Sequence, residues 1–411
     1  MKVLVLAGGY DQIALIKELK ERGHSVILAD YLENPPAKNV VSRHYKISTL
    51  DEMAVLHLAK TEKVDLITTA CTDQALMTVA RVSKMLNLPC YIDEKTALDV
   101  TNKAYMKQKF IDYGIPTAKS TILDDNSGFS NIDISEYRFP IVVKPCDCNS
   151  SKGVKKVNQY EELNEAIQDA LRLSRNKKVI VEEFLEGIEL SIDVWKDSED
   201  VKIISISTSD KIENNDNSFA IYKSHYPVFI SKAVYNNILK IARKICNAFD
   251  LDNCPILIQA MLCGDRIEVI EFSARMGGGS KYKLIEYMSG IDIMKTYVNR
   301  ILGDTSQVIV PIPSCKFIEV NYVYAFKGIF DKIVGIDKLL KEKIINDYFL
   351  YKESGSMIDN HITSSDRVMG FLIQAETLDE LNRRNKIAIE SIDILDCDGR
   401  SIMMKNIFKL N

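Results

Sequence analysis

The stretch from residue 256 to residue 279, ILIQAMLCGDRIEVIEFSARMGGG, constrains the fold of this chain most strongly. Ile256 to Met261 and Ile267 to Phe272 are rich in apolar and β-branched residues, as strands are. Between them, Gly264-Asp265-Arg266 has the composition of a turn. The stretch therefore predicts a β-hairpin that ends in three glycines.

The register of this hairpin depends on the length of its loop. If residues 264–266 form the loop, Met261 pairs with Val269 and Gln259 faces Glu271. Directly opposed residues on neighbouring strands have Cβ atoms roughly 5 Å apart. We therefore expect an amide and a carboxylate side by side in the sheet.

The polar residues after this point fall on one face of the predicted strand. Side chains alternate along a strand, so Glu271, Ser273 and Arg275 share a face. Polar groups cost free energy within a sheet unless something binds them. The pattern by itself fits either a ligand site or a polar face in contact with water. The motifs in the rest of the chain distinguish between these two interpretations.

The length and composition of the chain exclude several classes of function. A chain of 411 residues is too long for one core, so two or three domains are expected. A net charge of −4 argues against a nucleic-acid partner, and no apolar run approaches the roughly 20 residues that span a membrane. Nine cysteines without paired spacing, and a first apolar run too short for a signal peptide, predict a cytoplasmic protein with reduced thiols.

The first part of the chain alternates strands and helices. Val3 to Leu6, Val26 to Ala29 and Leu66 to Thr69 are buried strands, which predicts a parallel, doubly wound, Rossmann-like sheet. The first turn lacks the pattern G-x-G-x-x-G, so a dinucleotide site is poorly supported. Asp73 and Gln74 follow the third strand, and open α/β sheets bind ligands at such strand ends.

Residues 99–115 predict a single helix, with Thr101 or Asn102 as its cap and Gly114 as its end. Lys103 lies in the first turn, where a cation opposes the helix dipole. A phosphate partner would explain this placement, although a lysine in contact with water is the more common case.

Two further segments have features of a nucleotide site. Lys144 ends the strand that begins at Ile141, and a polar loop with Ser150, Ser151 and Gly153 follows. Such a loop offers backbone N–H groups and hydroxyls that suit phosphate oxygens, although it also resembles an ordinary hairpin loop.

The second segment, VIVEEFLEGIELSIDVW, contains the adjacent carboxylates Glu182 and Glu183. Neighbouring carboxylates repel each other unless one of them meets a donor, and an adenine amino group or ribose hydroxyls would supply one. Two surface glutamates are the alternative interpretation.

The order of these motifs resembles the ATP-grasp superfamily. The motifs are VVKP, SSKGV, VEEFLEGIELS, IQAM and VIEFSARMGGG, and they lie within about residues 100–305. Each is weak alone, whereas five in the right order and spacing are specific. The resemblance implies an α/β and α+β protein with three parts: a Rossmann-like N-terminal domain (1–98), a central ATP-grasp domain (99–305, with a small subdomain at about 118–190) and a small α+β C-terminal domain (306–411).

The resemblance also implies roles for single residues. ATP would be bound by Lys103, Lys144, Ser150, Ser151, Gly153, Glu182, Glu183, Phe184, Leu185 and Glu189. The metal ligands would be Gln259, Glu271 and Ser273. Arg275, Lys211 and His225 are the catalytic candidates. The substrate-binding candidates are Gly277, Gly278, Gly279 and, from its place at a strand end, Asp73.

Two of these positions depart from the family pattern. Gln259 stands where many members have Glu, and Ser273 stands where many have Asn. Both remain oxygen ligands of the kind that Mg²⁺ prefers, but one negative charge is lost. We therefore expect Glu271 with ATP phosphates to hold one ion, and the second metal position is in doubt.

The activity that the resemblance implies is ATP-dependent ligation of a small-molecule carboxylate to an amine. The carboxylate would attack the γ-phosphate, and the amine would displace phosphate from the acyl phosphate, giving ADP and phosphate. Mg²⁺ or Mn²⁺ would be the metal, and the protein would be a monomer or a homodimer. A biotin-carboxylase-like enzyme is the alternative within the family, and a non-catalytic nucleotide sensor is the alternative outside catalysis. Glu271 and Arg275 favour catalysis over the sensor.

Overall fold

The computed structural model describes residues 1–124, 132–148, 151–198, 200–212, 219–304, 306–310, 316–359 and 362–408. Ser150 is the one predicted site residue that lies outside these ranges. Within them, no helix is both long enough and apolar enough to cross a lipid bilayer.

The N-terminal part is a parallel sheet of four strands with helices packed on it. The strands are β1 (Lys2–Leu6), β2 (Ser25–Asp30), β3 (Arg43–Lys46) and β4 (Leu66–Thr68), in the order β3-β2-β1-β4. The helices are α1 (Tyr10–Glu21), α2 (Glu52–Glu62) and α3 (Leu76–Leu86). Residues of β1 face both core clusters of this region, as the continuous apolar run predicts. The predicted Rossmann-like sheet is thus confirmed.

The prediction of one helix over residues 99–115 is wrong. Two helices, α4 (Glu94–Thr101) and α5 (Lys103–Asp112), meet at Asn102, whose backbone is extended with φ −111° and ψ 109°. The Asn102 side chain accepts the N–H of Ala104 at 3.0 Å and so caps α5. The N–H of Lys103 leaves the helix and donates to the carbonyl of Cys146 at 3.0 Å. The break therefore ties the start of α5 to the segment after Lys144.

A small antiparallel sheet follows. It contains β5 (Ser120–Asp124), β6 (Ile141–Pro145), β7 (Lys155–Val157) and β8 (Lys178–Glu183), in the order β5-β8-β6-β7. Helix α6 (Tyr160–Leu173) covers one face of it and buries Leu163, Ile167 and Leu171 at helical spacing. The opposite face is left for the site described below.

A second antiparallel sheet carries the hairpin. The strands of this region are β9 (Ile188–Lys196), β10 (Val201–Thr208), β11 (Asp210–Lys211), β12 (Ile221–Tyr226), β13 (Cys254–Cys263) and β14 (Arg266–Ser273). The sheet has the order β10-β9-β13-β14, and α7 (Lys232–Ala248) packs on it. The rings of Phe110, Phe249 and Phe272 lie 4.6–6.1 Å apart and join α5, the end of α7 and β14 in one core.

The hairpin has the predicted pair at Gln259 and Glu271, but it reaches that pair by a different register. Met261 pairs with Glu268, so the predicted pairing with Val269 is wrong. The turn has two residues instead of three, because Cys263 pairs with Arg266. A bulge at Ile270 then adds one residue to β14 and shifts the register back. The two changes cancel at Gln259 and Glu271.

The remaining elements complete the C-terminal part. They are α8 (Lys281–Ser289), α9 (Ile293–Ile301), β15 (Phe317–Val323), β16 (Gly328–Val334), α10 (Ile336–Lys341), β17 (Asp347–Leu350), β18 (Met357–Ile358), β19 (Met369–Ala375), α11 (Leu378–Ser391) and β20 (Asp393–Asp396). Two antiparallel sheets result, β11-β12-β15-β19-β17 and β18-β16-β20. The first of them takes β11 and β12 from before the predicted boundary at residue 305, so the central and C-terminal parts share a sheet.

Candidate active site

A pocket lies between the small sheet and the hairpin sheet. Strands β6 and β8 form one wall, the hairpin β13–β14 forms the other, and α5 closes one end. The predicted residues that line it are Lys103, Lys144, Ser151, Glu182, Glu183, Phe184, Leu185, Glu189, Lys211, Gln259 and Glu271. The pocket therefore unites most of the predicted ATP-binding residues with two predicted metal ligands.

A buried carboxylate between two lysines forms the inner wall of this pocket. The Glu182 carboxylate receives Lys144 Nζ at 2.5 Å on one oxygen and Lys107 Nζ at 3.0 Å on the other. Burial by itself would raise the pKa of Glu182, but Lys107 and Lys144 outweigh it and hold the pKa at about 2. The donors that Glu182 needs are thus lysines of the same chain, and its carboxylate does not require an adenine amino group.

Lys103 and Glu271 lie at the hairpin end of the pocket. Lys103 Nζ is 3.1 Å from a Glu271 oxygen and donates to the carbonyl of Cys148 at 2.8 Å. Burial opposes the charge on both groups, yet Lys103 lowers the pKa of Glu271 and Glu271 raises the pKa of Lys103. Both groups are therefore charged at neutral pH. Lys103 links the loop after β6 to the hairpin.

The predicted ATP-binding residue Glu189 and the catalytic candidate Lys211 lie together in the pocket. Lys211 Nζ is 3.0 Å from the Glu189 carboxylate and 5.9 Å from the centre of the Phe219 ring. The Phe184 side chain has a cation partner too, because Lys156 Nζ lies 3.9 Å from the centre of its ring. These contacts hold the side chains at this side of the pocket in place.

Arg275 does not line the pocket, because it is engaged with the N-terminal domain. Its guanidinium holds both oxygens of Asp73, at 2.9 and 2.6 Å, and also donates to the carbonyl of Met276 at 2.8 Å. Burial raises the pKa of Asp73, but Arg275 outweighs it, and a hydrogen bond from Ser273 lowers the pKa further. Two predicted candidates from distant parts of the sequence, Asp73 and Arg275, thus meet, and Ser273 turns toward them.

The glycines at the end of the hairpin are occupied by a carboxylate of the protein itself. Asp11, in the first turn of α1, accepts the N–H of Gly279 at 3.0 Å and the N–H of Ser280 at 2.9 Å. Gly279 is a predicted substrate-binding residue, and Asp11 already accepts its backbone N–H, so an acidic substrate would have to compete with Asp11. Gly279 has φ +70°, a conformation that side chains disfavour, and a Cβ at this position would lie 3.0 Å from the Tyr322 hydroxyl, so a side chain there would be strained.

Two other predicted residues lie away from the pocket. His225, on β12, is partly exposed, and its Nδ1 is 3.6 Å from Asp210. Gly153 has φ +74°, and a Cβ there would lie 2.7 Å from Leu173 Cδ1. Gly153 thus allows the loop to pack on α6, and its place in a phosphate-binding loop stays a prediction, as does any chemical role of His225.

Two residues of these contacts, Lys107 and Asp11, were not predicted from the sequence. Lys107 follows Lys103 by four residues, which places both on one face of α5. Asp11 follows the Gly8-Gly9 turn at the carboxyl end of β1, where open α/β sheets bind ligands. Both positions could therefore have been found from spacing and topology.

The pocket is compatible with one Mg²⁺ ion. Glu271 offers a carboxylate and Gln259, its partner across the hairpin, offers an amide oxygen. Mg²⁺ is usually held by one or two carboxylates together with substrate phosphates and water, so these two side chains suffice with ATP. Ser273 faces Asp73, and the described residues include no group of three or more His, Cys, Asp or Glu side chains that could hold an ion.

Comparison with known proteins agrees with this geometry. Residues 109–255 match the family model for the D-ala D-ala ligase C-terminus. The phosphoribosylamine–glycine ligase of Methanosphaera stadtmanae is 24% identical, over 95% of this chain and 94% of the relative.

Solved structures show the same fold. The L-amino acid ligase from Bacillus licheniformis superposes with a TM-score of 0.78 at 19% identity, covering 96% of this chain and 98% of the other. The biotin carboxylase domain of the Hydrogenobacter thermophilus 2-oxoglutarate carboxylase, solved with MgADP, superposes with a TM-score of 0.77 at 15% identity, covering 98% and 92%. These matches agree with the resemblance to the ATP-grasp superfamily: residues 109–255 match a ligase family model, and nearly the whole chain has the fold of the two solved structures.

Proposed function

We propose that this protein is an ADP-forming ligase that activates a small carboxylic acid with ATP and joins it to an amine. The observation that supports it best is the pocket in which Lys103, Lys144 and Lys107 surround the predicted phosphate path, with Glu271 and Gln259 at its end. Proteins that match nearly the whole chain are ligases by name. The substrates and the oligomeric state belong to the proposal.

The active site has to bring two anions together, the triphosphate of ATP and the carboxylate of the acid. A triphosphate and a carboxylate repel each other, so the site has to supply positive charge before the reaction. Lys103 and Lys144 lie in the pocket as fixed cations, and Glu182 and Glu271 hold their ammonium groups in place. When ATP binds, its phosphates can replace carboxylate contacts without moving either lysine far.

The second step needs charge stabilisation at the acyl phosphate. The carboxylate oxygen attacks the γ-phosphorus and ADP leaves, and the amine then attacks the acyl carbon and phosphate leaves with the bonding electrons. The amine loses a proton in this step. Arg275 is the proposed donor to the reacting oxygens, because its planar fork can hold an acyl phosphate as it holds Asp73 here.

Magnesium would act at the hairpin end of the pocket. Glu271 and Gln259 would hold the ion, which would neutralise phosphate charge when bound. The ion pair between Lys103 and Glu271 would then open, because both the ion and the phosphates compete for its partners.

An assay of ADP release tests the proposal. The full chain is incubated with MgATP and a panel of small acids and amines, singly and in pairs, and products are identified by mass. We expect acid-dependent ADP and phosphate, and a condensation product when the amine is present. AMP and pyrophosphate, or no acid-dependent nucleotide cleavage, would contradict the acyl-phosphate mechanism.

A matched pair of variants links the activity to the pocket. Glu271→Ala should lower kcat by about a hundredfold or more, because one carboxylate is lost from the end where charge develops. Glu268→Ala, on the same strand but outside the pocket lining, should keep nearly full activity. Equal losses in both variants would show that the effect lies in the stability of the hairpin.

A further inference from the structure

A buried lysine contacts the hairpin sheet outside the lining of the pocket. Lys281, the first residue of α8, is 4% exposed, and its Nζ atom donates to the Ser207 hydroxyl. The same Nζ atom is 3.8 Å from a carboxylate oxygen of Asp193, which is 5% exposed. The proposed function uses neither of these two charged groups.

The register of the hairpin sheet relates this lysine to the pocket. Ser207 pairs with Ser191, and Ser191 pairs with Gln259. Gln259 pairs in turn with Glu271, so the four residues form one row across the sheet, and directly paired side chains share a face. Neighbouring strands are about 4.8 Å apart, so Lys281 contacts this row roughly 10 Å from Gln259, on the face that borders the pocket.

Two further observations place the Lys281 charge between the pocket and the end of the hairpin. Burial lowers the pKa of Lys281, and the carboxylates of Asp193 and Glu189 oppose this change. Glu189 lines the pocket, so the charge of Lys281 is within electrostatic reach of the pocket. At the other side, a Cβ atom on Gly277, two residues after Arg275, would lie 3.1 Å from Lys281 Cγ. The ammonium therefore lies behind the surface on which a triphosphate and an acid would meet.

This position is unfavourable for a cation unless negative charge lies near it. A cation in the first turn opposes the helix dipole, and burial removes its hydration. Asp193 compensates only in part, because 3.8 Å exceeds the length of a hydrogen bond. One oxygen of Asp193 accepts the Ser205 hydroxyl at 2.6 Å, and the other is buried without a hydrogen-bond partner among the described residues. Additional negative charge on this face would stabilise the ammonium, and the ammonium would stabilise that charge.

The same face offers few acids to a second metal ion. The predicted ligands Gln259 and Ser273 are neutral, and Ser273 faces Asp73. In the part of the chain that the structure describes, no three His, Cys, Asp or Glu side chains are grouped so that they could hold an ion. One ion at Glu271 leaves much of the negative charge of ATP and acid without compensation, and Lys281 supplies a fixed positive charge at this face.

We propose that Lys281 acts in place of a second metal ion: its buried ammonium, held by Ser207 and Asp193, offsets the negative charge of ATP and the acid across the sheet face. The inference rests on the proposed ligase function and identifies a residue that supports its reaction without touching the substrates. At roughly 10 Å within protein, the attraction between two unit charges corresponds to roughly a tenfold change in rate.

The first test measures kcat/KM for the acid that the ADP-release assay identifies. Lys281→Met removes the charge but keeps a long side chain, and should lower this kcat/KM roughly tenfold or more. Lys283→Met, at a more exposed lysine of the same helix that pairs with Glu286, is the matched control. It should stay within about twofold of the unchanged protein.

A double variant separates the charge of Lys281 from the stability of the fold. Lys281→Met by itself leaves Asp193 buried without its cation, whereas the combination with Asp193→Asn leaves no unpaired charge. We expect the kcat/KM of the double variant to remain lower by roughly tenfold, because the positive charge is still missing. Recovery of full activity in the double variant would show that Lys281 only neutralises Asp193, and would overturn the inference.

The number of bound metal ions gives a readout other than activity. Mn²⁺ bound to the full chain is counted by electron paramagnetic resonance, in the presence of an ATP analogue whose β–γ bridge resists hydrolysis. We expect one tightly bound ion for each bound nucleotide. Two tightly bound ions would overturn the inference and leave the proposed function intact.

If no acid supports ADP release, the proposed function fails, and nucleotide affinity then still decides the role of Lys281. Calorimetry compares the ATP analogue with ADP in the unchanged protein and in the double variant. The analogue carries the additional charge of the γ-phosphate, so its affinity should fall roughly tenfold, and that of ADP by less than about twofold. Equal changes for the two nucleotides would overturn the inference.

Discussion

Single buried charges determine the shape of the pocket. Glu182 is 6% exposed and Lys107 is 3% exposed, so neither could keep its charge without the other or Lys144. The carboxylate that looks like a nucleotide ligand in the sequence is therefore a positioning residue for two lysines. Its sequence neighbour Glu183 also lines the pocket.

We expect Glu182→Gln to destabilise the folded chain by roughly 3 kcal/mol at pH 7, because two buried lysines lose their shared partner. The pKa of Glu182 is lowered to about 2 in the folded chain, so its contribution is present above the unfolded pKa near 4.5 and is lost as the pH falls toward 2. Urea unfolding of both proteins between pH 7 and pH 3 measures this. A difference between them that does not shrink with falling pH would contradict it.

Lys107 should contribute to nucleotide affinity although it lies in none of the sequence motifs. Lys107→Met keeps the length of the side chain but removes the charge beside Glu182, and we expect the KM for ATP to rise roughly tenfold. Lys95→Met, at an exposed position of α4, is the control and should leave this KM unchanged. Unchanged ATP affinity in Lys107→Met would limit Lys107 to a structural role.

At the level of elements, the sequence predicted where strands and helices occur, but not the strand register of the hairpin or the break between two helices. The apolar pattern showed the hairpin and the parallel sheet, because each has one strongly apolar face or a continuous apolar run. The bulge at Ile270 and the break at Asn102 depend on contacts with other elements, such as the bond from Lys103 to Cys146. A local pattern contains no information about those contacts.

The same limit applies to the site. Lys144 and Glu271 could be predicted because the family motifs contain them, and Lys103 because it lies in the first turn of a helix; the structure brings all three to one pocket. Spacing and topology mark the positions of Lys107 and Asp11, but their pairing with Glu182 and Gly279 could not be predicted, because the paired residues lie 75 and 268 positions apart in the sequence. The activity and ATP affinity of the substituted proteins test the predicted roles of these residues.

The capping role of Asn102 at the break between α4 and α5 can be tested by substitution. Asn102→Ala removes the cap of α5 and should cost about 1 kcal/mol of stability, whereas Asn102→Gly should cost only a few tenths. Because Asn102 also sets the position of Lys103, the Ala variant should have the higher KM for ATP of the two. Equal stability and equal KM values in the two variants would contradict a capping role.

In the whole molecule, charged contacts between distant parts of the chain add to apolar clusters that these parts share. Asp73 belongs to the N-terminal sheet domain and Arg275 to the end of the hairpin, and they are 202 residues apart. Strand β12 pairs with β15, which joins the central region to the C-terminal sheet. Asp11 and Arg367, from the first and last of the three parts, therefore meet at Gly279 only in the assembled chain.

This dependence predicts strong coupling between Asp73 and Arg275. The single variants Asp73→Ala and Arg275→Ala should each cost roughly 3 kcal/mol, because each leaves a partly buried charge without its partner. The double variant should cost clearly less than the sum, by at least about 1 kcal/mol, because neither charge remains. Urea unfolding of the four proteins completes the cycle, and Lys2 with Glu62, a more exposed pair, serves as the control and should couple weakly. Additive effects at Asp73 and Arg275 would mean that the pair does not hold the N-terminal domain to the hairpin, and the loop anchored by Asp11 would then need another explanation for its position.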